Sequence, residues 1–310
     1  MGNIVDIFAG RATAELGEKI AEAYNTKLGE VSVNVFSDGE FRTSFEQSIR
    51  GHSVYLVQST FPPADNLMEL LMLVDAAKRA SAKHVIAVVP YFGFARQDRK
   101  DKPRVPITSK LVANLLVASG LERLVTLDLH ADQIQGFFDI PVDHLYASSV
   151  FVPILQKLNI KNLTFASPDA GGTKRAASYA KAFETDFVMC YKQRSKPNQI
   201  ENMSLIGSVK GKNVVLLDDM IDTAGSITKA AELMMKEGAE SVIGCASHAV
   251  LSGNAYERIN NSVFKKVYVT DSIPLKQKTD KIEVVSIAGL FAEAIDKIQN
   301  RESISSLFEF

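Results

Sequence analysis

The sequence has few of the features that mark several classes of protein. Its two cysteines, Cys190 and Cys245, lie on apolar segments and form neither a disulfide framework nor a CxxC spacing. We interpret them as small core residues of a protein from a reducing compartment. No apolar run approaches the roughly 18 residues expected of a membrane-spanning helix, and no secretory signal pattern precedes the first predicted strand. These absences predict a cytoplasmic protein that does not associate with membranes.

The sequence also lacks an excess of charge of either sign. Lys and Arg number 35 and Asp and Glu number 36, so the formal net charge is −1. No overall positive field therefore attracts nucleic acid, and any site for an anion must be local. Gly- or Ser-rich linkers and low-complexity segments are absent too. A chain of 310 residues is long enough for two α/β domains, each with its own core.

Apolar strand patterns alternate with helical patterns along the whole chain. In the first half the predicted strands are Ile4 to Phe8, Val31 to Phe36, Ser53 to Ser59, His84 to Pro90 and Leu124 to Leu129. In the second half they are Leu163 to Ser167, Phe187 to Cys190, Val214 to Leu217, Ser241 to Ala246, Lys266 to Val269 and Ile282 to Val285. This alternation predicts an α/β fold of two similar doubly wound domains, with parallel sheets flanked by helices. The boundary is predicted between residues 148 and 149, giving domains 1–148 and 149–310.

The most informative stretch follows the predicted strand Val214 to Leu217. Asp218 and Asp219 come directly after it, and the turn Asp222-Thr223-Ala224-Gly225-Ser226 precedes a helix predicted from Ile227. Backbone amides, a helix N-terminus and hydroxyl groups in one turn favour a phosphate monoester. The carboxylates suit ribose hydroxyls or a Mg²⁺ ion. The alternative is an ordinary helix cap, but a cap requires one such residue and not several acids and hydroxyls.

A second turn with similar chemistry follows the predicted strand Leu163 to Ser167. Asp169-Ala170-Gly171-Gly172 contains adjacent glycines, which let a backbone approach an anion closely, and Asp169 is a candidate metal ligand. Ligands in such folds bind beyond the carboxyl ends of strands. We therefore predict a diphosphate site beside the sugar-phosphate site. His130 also ends a predicted strand and is a candidate Mg²⁺ ligand, although a lone histidine is more often structural.

Two polar segments carry clustered basic residues. Arg96, Gln97 and Arg99 follow a buried strand and an aromatic cluster, where guanidinium groups meet polyphosphates in other proteins. Lys192 and Arg194 lie in a polar segment that we predict to be a mobile loop closing over phosphates. The alternative for both segments is a solvated loop with no ligand.

Taken together, these motifs closely resemble the family of ribose-phosphate diphosphokinases (ribose-phosphate pyrophosphokinases, phosphoribosyl diphosphate synthetases) of the phosphate-activated class I. The resemblance covers essentially the whole chain. Its motifs are FSDGE (36–40), NLMEL (66–70), ARQD (95–98), DLHADQIQGFFDIPVD (128–143), SPDAGG (167–172), LLDDMIDTAGS (216–226) and ESISSLF (302–308).

The resemblance implies phosphoribosyltransferase-type domains and a Mg²⁺-dependent reaction. In it, the β,γ-diphosphoryl group of ATP passes to the 1-hydroxyl of ribose 5-phosphate, giving 5-phosphoribosyl 1-diphosphate and AMP for nucleotide biosynthesis. The N-terminal half would be the ATP side with the regulatory contacts, and the last helix and tail would pack back on it. The implied ATP-binding residues are Phe36, Asp38, Glu40, Arg96, Gln97 and Arg99, with adenine held across a subunit interface.

The other implied roles fall on the turns already described. His130 and Asp169 would ligate Mg²⁺, and Asp169 to Gly172 would hold diphosphate. Asp218 and Asp219 would bind the ribose hydroxyls, and Asp222, Thr223, Ala224, Gly225 and Ser226 the 5-phosphate. Lys192 and Arg194 would act in the transition state.

Regulation and assembly are implied by resemblance alone. Inorganic phosphate would be an activator at a site containing Ser48, Arg50, Ser81, Arg104, Gln135 and Asp143. His144 stands near this set in place of the expected asparagine, and Ala224 stands where glycine or cysteine is commoner. The family suggests a homohexamer built from dimers.

Two other functions are compatible with the sequence. A phosphoribosyltransferase would share the sugar-phosphate turn but not the ARQD and HADQIQGFFD motifs. A non-catalytic regulatory paralogue would be expected to lack some ligands, whereas this chain keeps His130, Asp169, Lys192, Arg194 and Asp218.

Overall fold

The structure is a computed structural model. It describes the backbone of residues 4–196 and 199–307, and the side chains of these residues except those of 192–202. The chain divides into two compact units. Of the described residues, unit 1 contains 4–146, the short segment Ser272–Pro274 and residues 287–307. Unit 2 contains Ala147–Asp271 and Leu275–Ser286.

Strands and helices alternate along most of the chain, as predicted. The strands are β1 (Val5–Ala9), β2 (Val31–Val35), β3 (Phe41–Phe45), β4 (Ser53–Val57), β5 (His84–Val89), β6 (Arg123–Leu127), β7 (Val142–Leu145), β8 (Leu163–Ser167), β9 (Phe187–Lys196), β10 (Gln199–Ile206), β11 (Asn213–Ile221), β12 (Ser241–Ala249), β13 (Phe264–Thr270) and β14 (Ile282–Val285). The α-helices are α1 (Ala14–Ala23), α2 (Asp65–Arg79), α3 (Thr108–Ala118), α4 (Ser148–Lys157), α5 (Thr173–Ala182), α6 (Gly225–Lys236), α7 (Ala255–Asn261) and α8 (Ala288–Asn300).

Unit 1 is built on a five-stranded parallel sheet in the order β1-β4-β5-β6-β7. The central strands are apolar on both faces, as expected of parallel strands buried between helices. Helices α2 and α3 cover one face, where Val54, Val85 and Leu124 belong to the same cluster as Leu73 and Leu116. Helix α8 packs against α1, so this late helix is part of unit 1.

A separate antiparallel hairpin, β2–β3, belongs to unit 1. The sequence predicts β2 as one more parallel strand and does not predict β3. The difference has a physical reason, because β2 (VSVNV) and β3 (FRTSF) alternate apolar residues with polar ones such as Asn34 and Arg42, and a parallel strand covered on both faces would have to bury those polar residues.

Unit 2 contains a seven-stranded sheet in the order β10-β9-β8-β11-β12-β13-β14. All neighbours are parallel except β9 and β10, which form an antiparallel edge. Along the chain the sheet grows in one direction from β8 and in the opposite direction from β11. This reversal of strand order occurs in unit 2 and not in the sheet of unit 1, whose strands follow chain order.

The predicted fold class is therefore confirmed, since both units combine a mainly parallel sheet with helices. Two segments of unit 2 differ from their predictions. β11 continues to Ile221, four residues past its predicted end at Leu217, and the predicted mobile loop after Cys190 is instead the β9–β10 hairpin. None of the described helices has the length and apolar composition needed to cross a bilayer.

Candidate active site

The two predicted phosphate turns follow neighbouring strands of the unit 2 sheet. β8 and β11 are adjacent and parallel, so their carboxyl ends lie at the same edge. The strand order reverses between these two strands. Open α/β sheets bind ligands in the crevice that such a reversal creates. The 3-10 turn Ala170–Gly172 and the N-terminus of α6 are therefore both at the expected position for a ligand site.

Gly172 allows the turn after β8 to lie close to β11. A Cβ atom at this buried position would stand 2.5 Å from Ser167 Oγ and 3.7 Å from the carbonyl oxygen of Leu217. The first distance is far shorter than a normal van der Waals contact. A larger residue therefore requires either the Ser167 side chain or the turn to move from its present position.

The carboxylate of Asp169 accepts hydrogen bonds within its own turn. Its Oδ1 atom accepts from the backbone N–H of Gly171 (3.0 Å) and of Gly172 (3.3 Å). These are the amides that we predict for diphosphate. The turn thus already holds an anionic group, and a diphosphate bound to the same amides has to replace the Asp169 carboxylate, which is then available to a cation.

Asp218 and Asp219 lie inside β11, which corrects the prediction that the strand ends before them. Asp219 is buried and Asp218 is partly buried. The backbone N–H of Asp219 donates to Asp218 Oδ1 at 2.9 Å. Because both residues belong to a strand paired with β12, their backbone positions are set by the sheet and not by a flexible turn.

The surroundings of Asp218 disfavour its negative charge. Burial is the largest cause that raises the pKa of this carboxyl well above its usual value, followed by the charge of Asp219 and a hydrogen bond with it. Asp169 raises the pKa further, and the guanidinium of Arg175 lowers it. Asp218 therefore favours a bound proton, a neighbouring cation or the hydroxyl groups of a sugar.

The turn after β11 leads directly into α6, which begins at Gly225 and not at the predicted Ile227. Ala224 precedes the helix with φ +60°, in the left-handed region, and is buried. Its carbonyl oxygen accepts from Thr228 Oγ1 at 2.8 Å. Ala224 provides no capping side chain, so the first amides of α6 remain available for an anion.

Two residues that the sequence did not indicate hold this turn in place. Ser252 donates its backbone N–H to the carbonyl oxygen of Asp222 at 3.0 Å, and its hydroxyl donates to the Asp222 carboxylate. Arg258 Nη1 donates to the carbonyl oxygen of Thr223 at 2.8 Å. Ser252 lies three residues after the end of β12, so the strand-end rule that located the other turns also applies to it. Arg258 lies on α7, and no sequence signal identifies it.

The FSDGE motif forms the tip of the β2–β3 hairpin. Phe36 N–H donates to the carbonyl oxygen of Glu40 at 2.7 Å, and Asp38 Oδ1 accepts from the Glu40 N–H at 3.0 Å. All three side chains are exposed, and the guanidinium of Arg42 lies 5.8 Å from the centre of the Phe36 ring. The hairpin thus displays the aromatic ring and the acids predicted to bind adenine on its surface.

The other predicted ATP-binding residues lie at the carboxyl edge of the unit 1 sheet. Arg96, Gln97 and Arg99 follow β5 and are exposed, and His130 follows the neighbouring strand β6 and is also exposed. A hydrogen bond of 3.2 Å from Gln133 Nε2 to Asp98 Oδ2 joins the two loops. The structure therefore brings His130 to the same sheet edge as the ARQD motif.

The predicted regulatory residues do not form one cluster within a chain. Arg50 Nη1 donates to Ser81 Oγ at 3.0 Å, and both residues lie at the amino edge of the unit 1 sheet. Gln135 follows β6 and Arg104 follows β5, so both lie at the carboxyl edge of this sheet. The Asp143 carboxylate forms an ion pair with Arg123, with 2.6 Å between Oδ2 and Nη1. Ser48 is exposed. Their joint role stays a prediction.

Lys192 and Arg194 belong to β9, opposite Met203 and Ile200 of β10. Their backbone is thus part of a hairpin. Their side chains lie outside the described residues, so the role predicted for them is not tested by the structure.

Comparisons with known proteins match both units. Residues 5–120 match the family model for the N-terminal domain of ribose phosphate pyrophosphokinase, and residues 166–309 match the phosphoribosyl synthetase-associated domain. The chain is 54% identical over 309 residues to a ribose-phosphate pyrophosphokinase of Porphyromonas gingivalis, with 99% of each chain covered. It is 53% identical over 307 residues to that of Chlorobaculum tepidum, covering 98% of this chain and 95% of the relative.

A solved structure is similar over nearly the whole chain. The crystal structure of phosphoribosylpyrophosphate synthetase from Mycobacterium smegmatis superposes with a TM-score of 0.91 at 36% identity, covering 96% of this chain and 100% of that one. Neither a phosphoribosyltransferase nor a non-catalytic paralogue is favoured by these comparisons, because the similarity extends over both units.

The raised pKa of Asp218 predicts a pH-dependent effect on stability. A carboxyl whose pKa is raised in the folded state stabilises the fold below the usual value of 3.8 and loses that contribution as the pH rises through the raised value. The substitution Asp218→Asn removes the ionisable carboxyl, and with it this loss of stability at high pH. We expect the ligand-free variant to have a higher midpoint of thermal unfolding than wild type at pH 8, by about 2–4 °C for each kcal/mol gained. This difference should shrink toward pH 4.

The control for this experiment is Asp186→Asn. Asp186 is 89% exposed, and its substitution should leave the midpoint of unit 2 unfolding nearly unchanged at either pH. A lower midpoint for Asp218→Asn than for wild type at pH 8 would show that the carboxylate is stabilised in the fold, contrary to this account.

Proposed function

Since this chain belongs to the ribose-phosphate pyrophosphokinase family, it is an ATP-dependent diphosphotransferase, and we propose a role in the reaction for each of its candidate site residues. The enzyme transfers the β,γ-diphosphoryl group of ATP to the 1-hydroxyl of ribose 5-phosphate. The products are 5-phosphoribosyl 1-diphosphate, for nucleotide biosynthesis, and AMP.

One observation carries the proposed assignment of the product site. Two turns suited to phosphate groups follow β8 and β11, at the reversal of strand order. The turn Asp222 to Ser226, at the N-terminus of α6, binds the 5-phosphate of the sugar. Asp218 and Asp219 accept hydrogen bonds from the ribose hydroxyls. The amides of Gly171 and Gly172 bind the diphosphate that becomes attached to the 1-hydroxyl.

The ATP side is assigned to unit 1. Phe36 stacks on adenine while Asp38 and Glu40 accept hydrogen bonds from its exocyclic amine, and the exposure of all three residues supports this role. Arg96, Gln97 and Arg99 bind the polyphosphate. Since arginine binds phosphate oxygens through paired N–H groups, the motif at the end of β5 orients the chain of phosphates for attack at the β-phosphorus.

Mg²⁺ is the proposed metal, with His130 and Asp169 as its protein ligands. The residues fit this ion. Asp169 and Asp219 both raise the pKa of Asp218, so the carboxylates of unit 2 favour a nearby cation. Among the described residues no three His, Cys, Asp or Glu side chains are arranged to hold a metal by themselves. That suits Mg²⁺, which commonly takes one or two protein ligands together with water and substrate phosphates. When bound, it neutralises charge on the phosphate oxygens.

The chain's own contribution to the reaction is positioning and electrostatic stabilisation. Among the residues whose side chains are described, no general base stands out near the two turns, and phosphoryl transfer needs little covalent help from a protein. Ser252 and Arg258 keep the 5-phosphate turn in one conformation, so the 1-hydroxyl is presented in a fixed direction. Lys192 and Arg194 are assigned to the negative charge that forms as AMP leaves.

Regulation, assembly and location complete the proposal. Inorganic phosphate is the proposed activator, and the contact between Arg50 and Ser81 supports a role for these two residues. The proposed assembly is a homohexamer built from dimers, and the proposed location is the cytoplasm. Nucleic acid and membranes are not among the proposed partners.

The reaction is tested by identifying the bond that forms. Purified enzyme is given Mg²⁺, ATP and ribose 5-phosphate labelled with heavy oxygen at the 1-hydroxyl. We expect AMP to be released and the label to lie between C1 and phosphorus in the product, because the sugar hydroxyl attacks the β-phosphorus. Mass spectrometry of both products gives the answer.

Gly172→Ala is the matched control for this assay. Its Cβ atom would collide with Ser167, so AMP release should fall by at least about tenfold if the activity belongs to this site. Release of ADP together with a sugar carrying one additional phosphate would contradict the proposed reaction.

Lys192→Ala and Arg194→Ala test the assignment of these residues to the transition state. Removing a cation that acts only there lowers turnover without weakening substrate binding. We expect turnover to fall by at least about a hundredfold in each variant while both Michaelis constants change only a few-fold. Steady-state kinetics at varied ATP and ribose 5-phosphate measures both quantities.

Lys161→Ala serves as the control, because Lys161 is exposed in the same unit, before β8 and away from the turns. It should behave as wild type. Near-normal turnover in both test variants would remove Lys192 and Arg194 from the site and identify their charges as solvated.

A further inference from the structure

His144 holds the backbone next to the candidate metal ligand His130. His144 is the third residue of β7 and is buried. Its Nε2 atom accepts a hydrogen bond of 2.9 Å from the backbone N–H of Leu129, the residue that precedes His130. This bond is buried, and loss of the acceptor would leave a backbone donor without compensation from water.

The backbone before His130 needs such support because it is strained. β6 ends at Leu127, and Asp128 then adopts φ +34°, outside the regions that residues with a Cβ atom favour. The Asp128 N–H donates to the carbonyl oxygen of Leu145 at 2.9 Å. Two successive amides are therefore held by two successive residues of β7. Strained backbone persists where its surroundings restrain it in this way.

The hydrogen bond also determines the state of the imidazole. A backbone amide can only donate, so Nε2 carries no proton and the ring proton is on Nδ1. Gln135 Nε2 donates to the carbonyl oxygen of Asp132 at 2.9 Å and lies 3.2 Å from Nδ1 without a hydrogen bond between them, since both are donors. Asp132 Oδ1 lies 3.9 Å from Nδ1. Both residues belong to the 3-10 turn Asp132–Phe137 that follows His130. The ring thus contacts the chain on both sides of His130. It also packs against Tyr146, with 4.5 Å between the centres of the two rings.

We propose that His144 is a positioning residue, whose unprotonated Nε2 fixes the Leu129 amide and so directs His130 toward the ATP-bound metal. This inference rests on the proposed function, because it takes His130 to act there. It also explains the departure from the asparagine expected at this position. Asparagine has a side-chain carbonyl oxygen and can accept the same hydrogen bond.

The hydrogen bond is tested without any substrate. The wild-type enzyme is compared with His144→Leu, which has no acceptor, and His144→Asn, which retains one. ¹⁵N NMR of the imidazoles should show His144 with its proton on Nδ1. Amide hydrogen exchange of Leu129 should be at least about tenfold faster in His144→Leu and nearly unchanged in His144→Asn.

His84→Leu is the matched control, because it removes an exposed imidazole at the start of β5, at the opposite edge of the same sheet. It should leave the exchange of the Leu129 amide unchanged. Thermal unfolding of all variants establishes that unit 1 remains folded.

Positioning is tested by kinetics on the same variants. His144→Leu should lower kcat/KM for ATP by about 10- to 100-fold, the loss typical when a residue that orients a metal ligand is removed. The Michaelis constant for ribose 5-phosphate should change less than about threefold, because the sugar turns lie in unit 2. His144→Asn should recover kcat/KM for ATP to within about threefold of wild type.

The possible outcomes separate this inference from the proposed function. Slow Leu129 exchange in His144→Leu, or a proton on Nε2 of the wild-type ring, overturns the hydrogen bond. Fast exchange together with undiminished kcat/KM for ATP overturns the positioning role, as does equal loss of activity in His144→Asn and His144→Leu. A folded wild-type enzyme that releases no AMP refutes the proposed function, while the NMR and exchange results still decide on the hydrogen bond.

Discussion

The reversal of strand order between β8 and β11 is the constraint on which the candidate site depends. Because the chain leaves these adjacent strands in opposite directions, their two following turns are left facing one crevice. One turn presents the amides of adjacent glycines and the other presents the N-terminus of α6. A molecule with a phosphate at one end and a diphosphate at the other matches this arrangement. Unit 1 has the same fold class but no such reversal, and its candidate residues come instead from a hairpin tip and from the ends of β5 and β6.

Negative charge is the second constraint. Burial and the charges of Asp219 and Asp169 all disfavour the negative charge of Asp218 and raise its pKa. Asp169 satisfies part of its charge with the amides of its own turn. In the proposed site, binding of a diphosphate and a cation would therefore exchange hydrogen-bond partners: the amides would pass to the phosphate and the Asp169 carboxylate to the cation. The other turn, Asp222 to Ser226, is held by hydrogen bonds from Ser252, which lies after β12, and from Arg258 of α7.

Much of the site could be predicted from local patterns. Short apolar runs predicted β8 and β11, and glycines, acids and hydroxyls directly after them located both turns. The errors came from interactions between distant segments. Two acids suggested the end of β11, yet its pairing with β12 continues to Ile221. The sequence pattern did not predict β3 or the pairing of β9 with β10. Antiparallel strands can leave one polar face exposed, so they lack the continuous apolar run that marks a buried strand. Arg258 and His144 act through backbone atoms far away in sequence, and no local pattern records such contacts.

The central claim is that the turns after β8 and β11 form one site for one molecule. Calorimetric titration with 5-phosphoribosyl 1-diphosphate tests it directly, in the presence and absence of saturating ribose 5-phosphate. The account predicts one molecule bound per chain and competition between the two ligands, because both place a 5-phosphate at the N-terminus of α6. Saturating diphosphate should compete as well, through the amides of Gly171 and Gly172. Unchanged affinity for 5-phosphoribosyl 1-diphosphate in the presence of saturating ribose 5-phosphate would contradict the account.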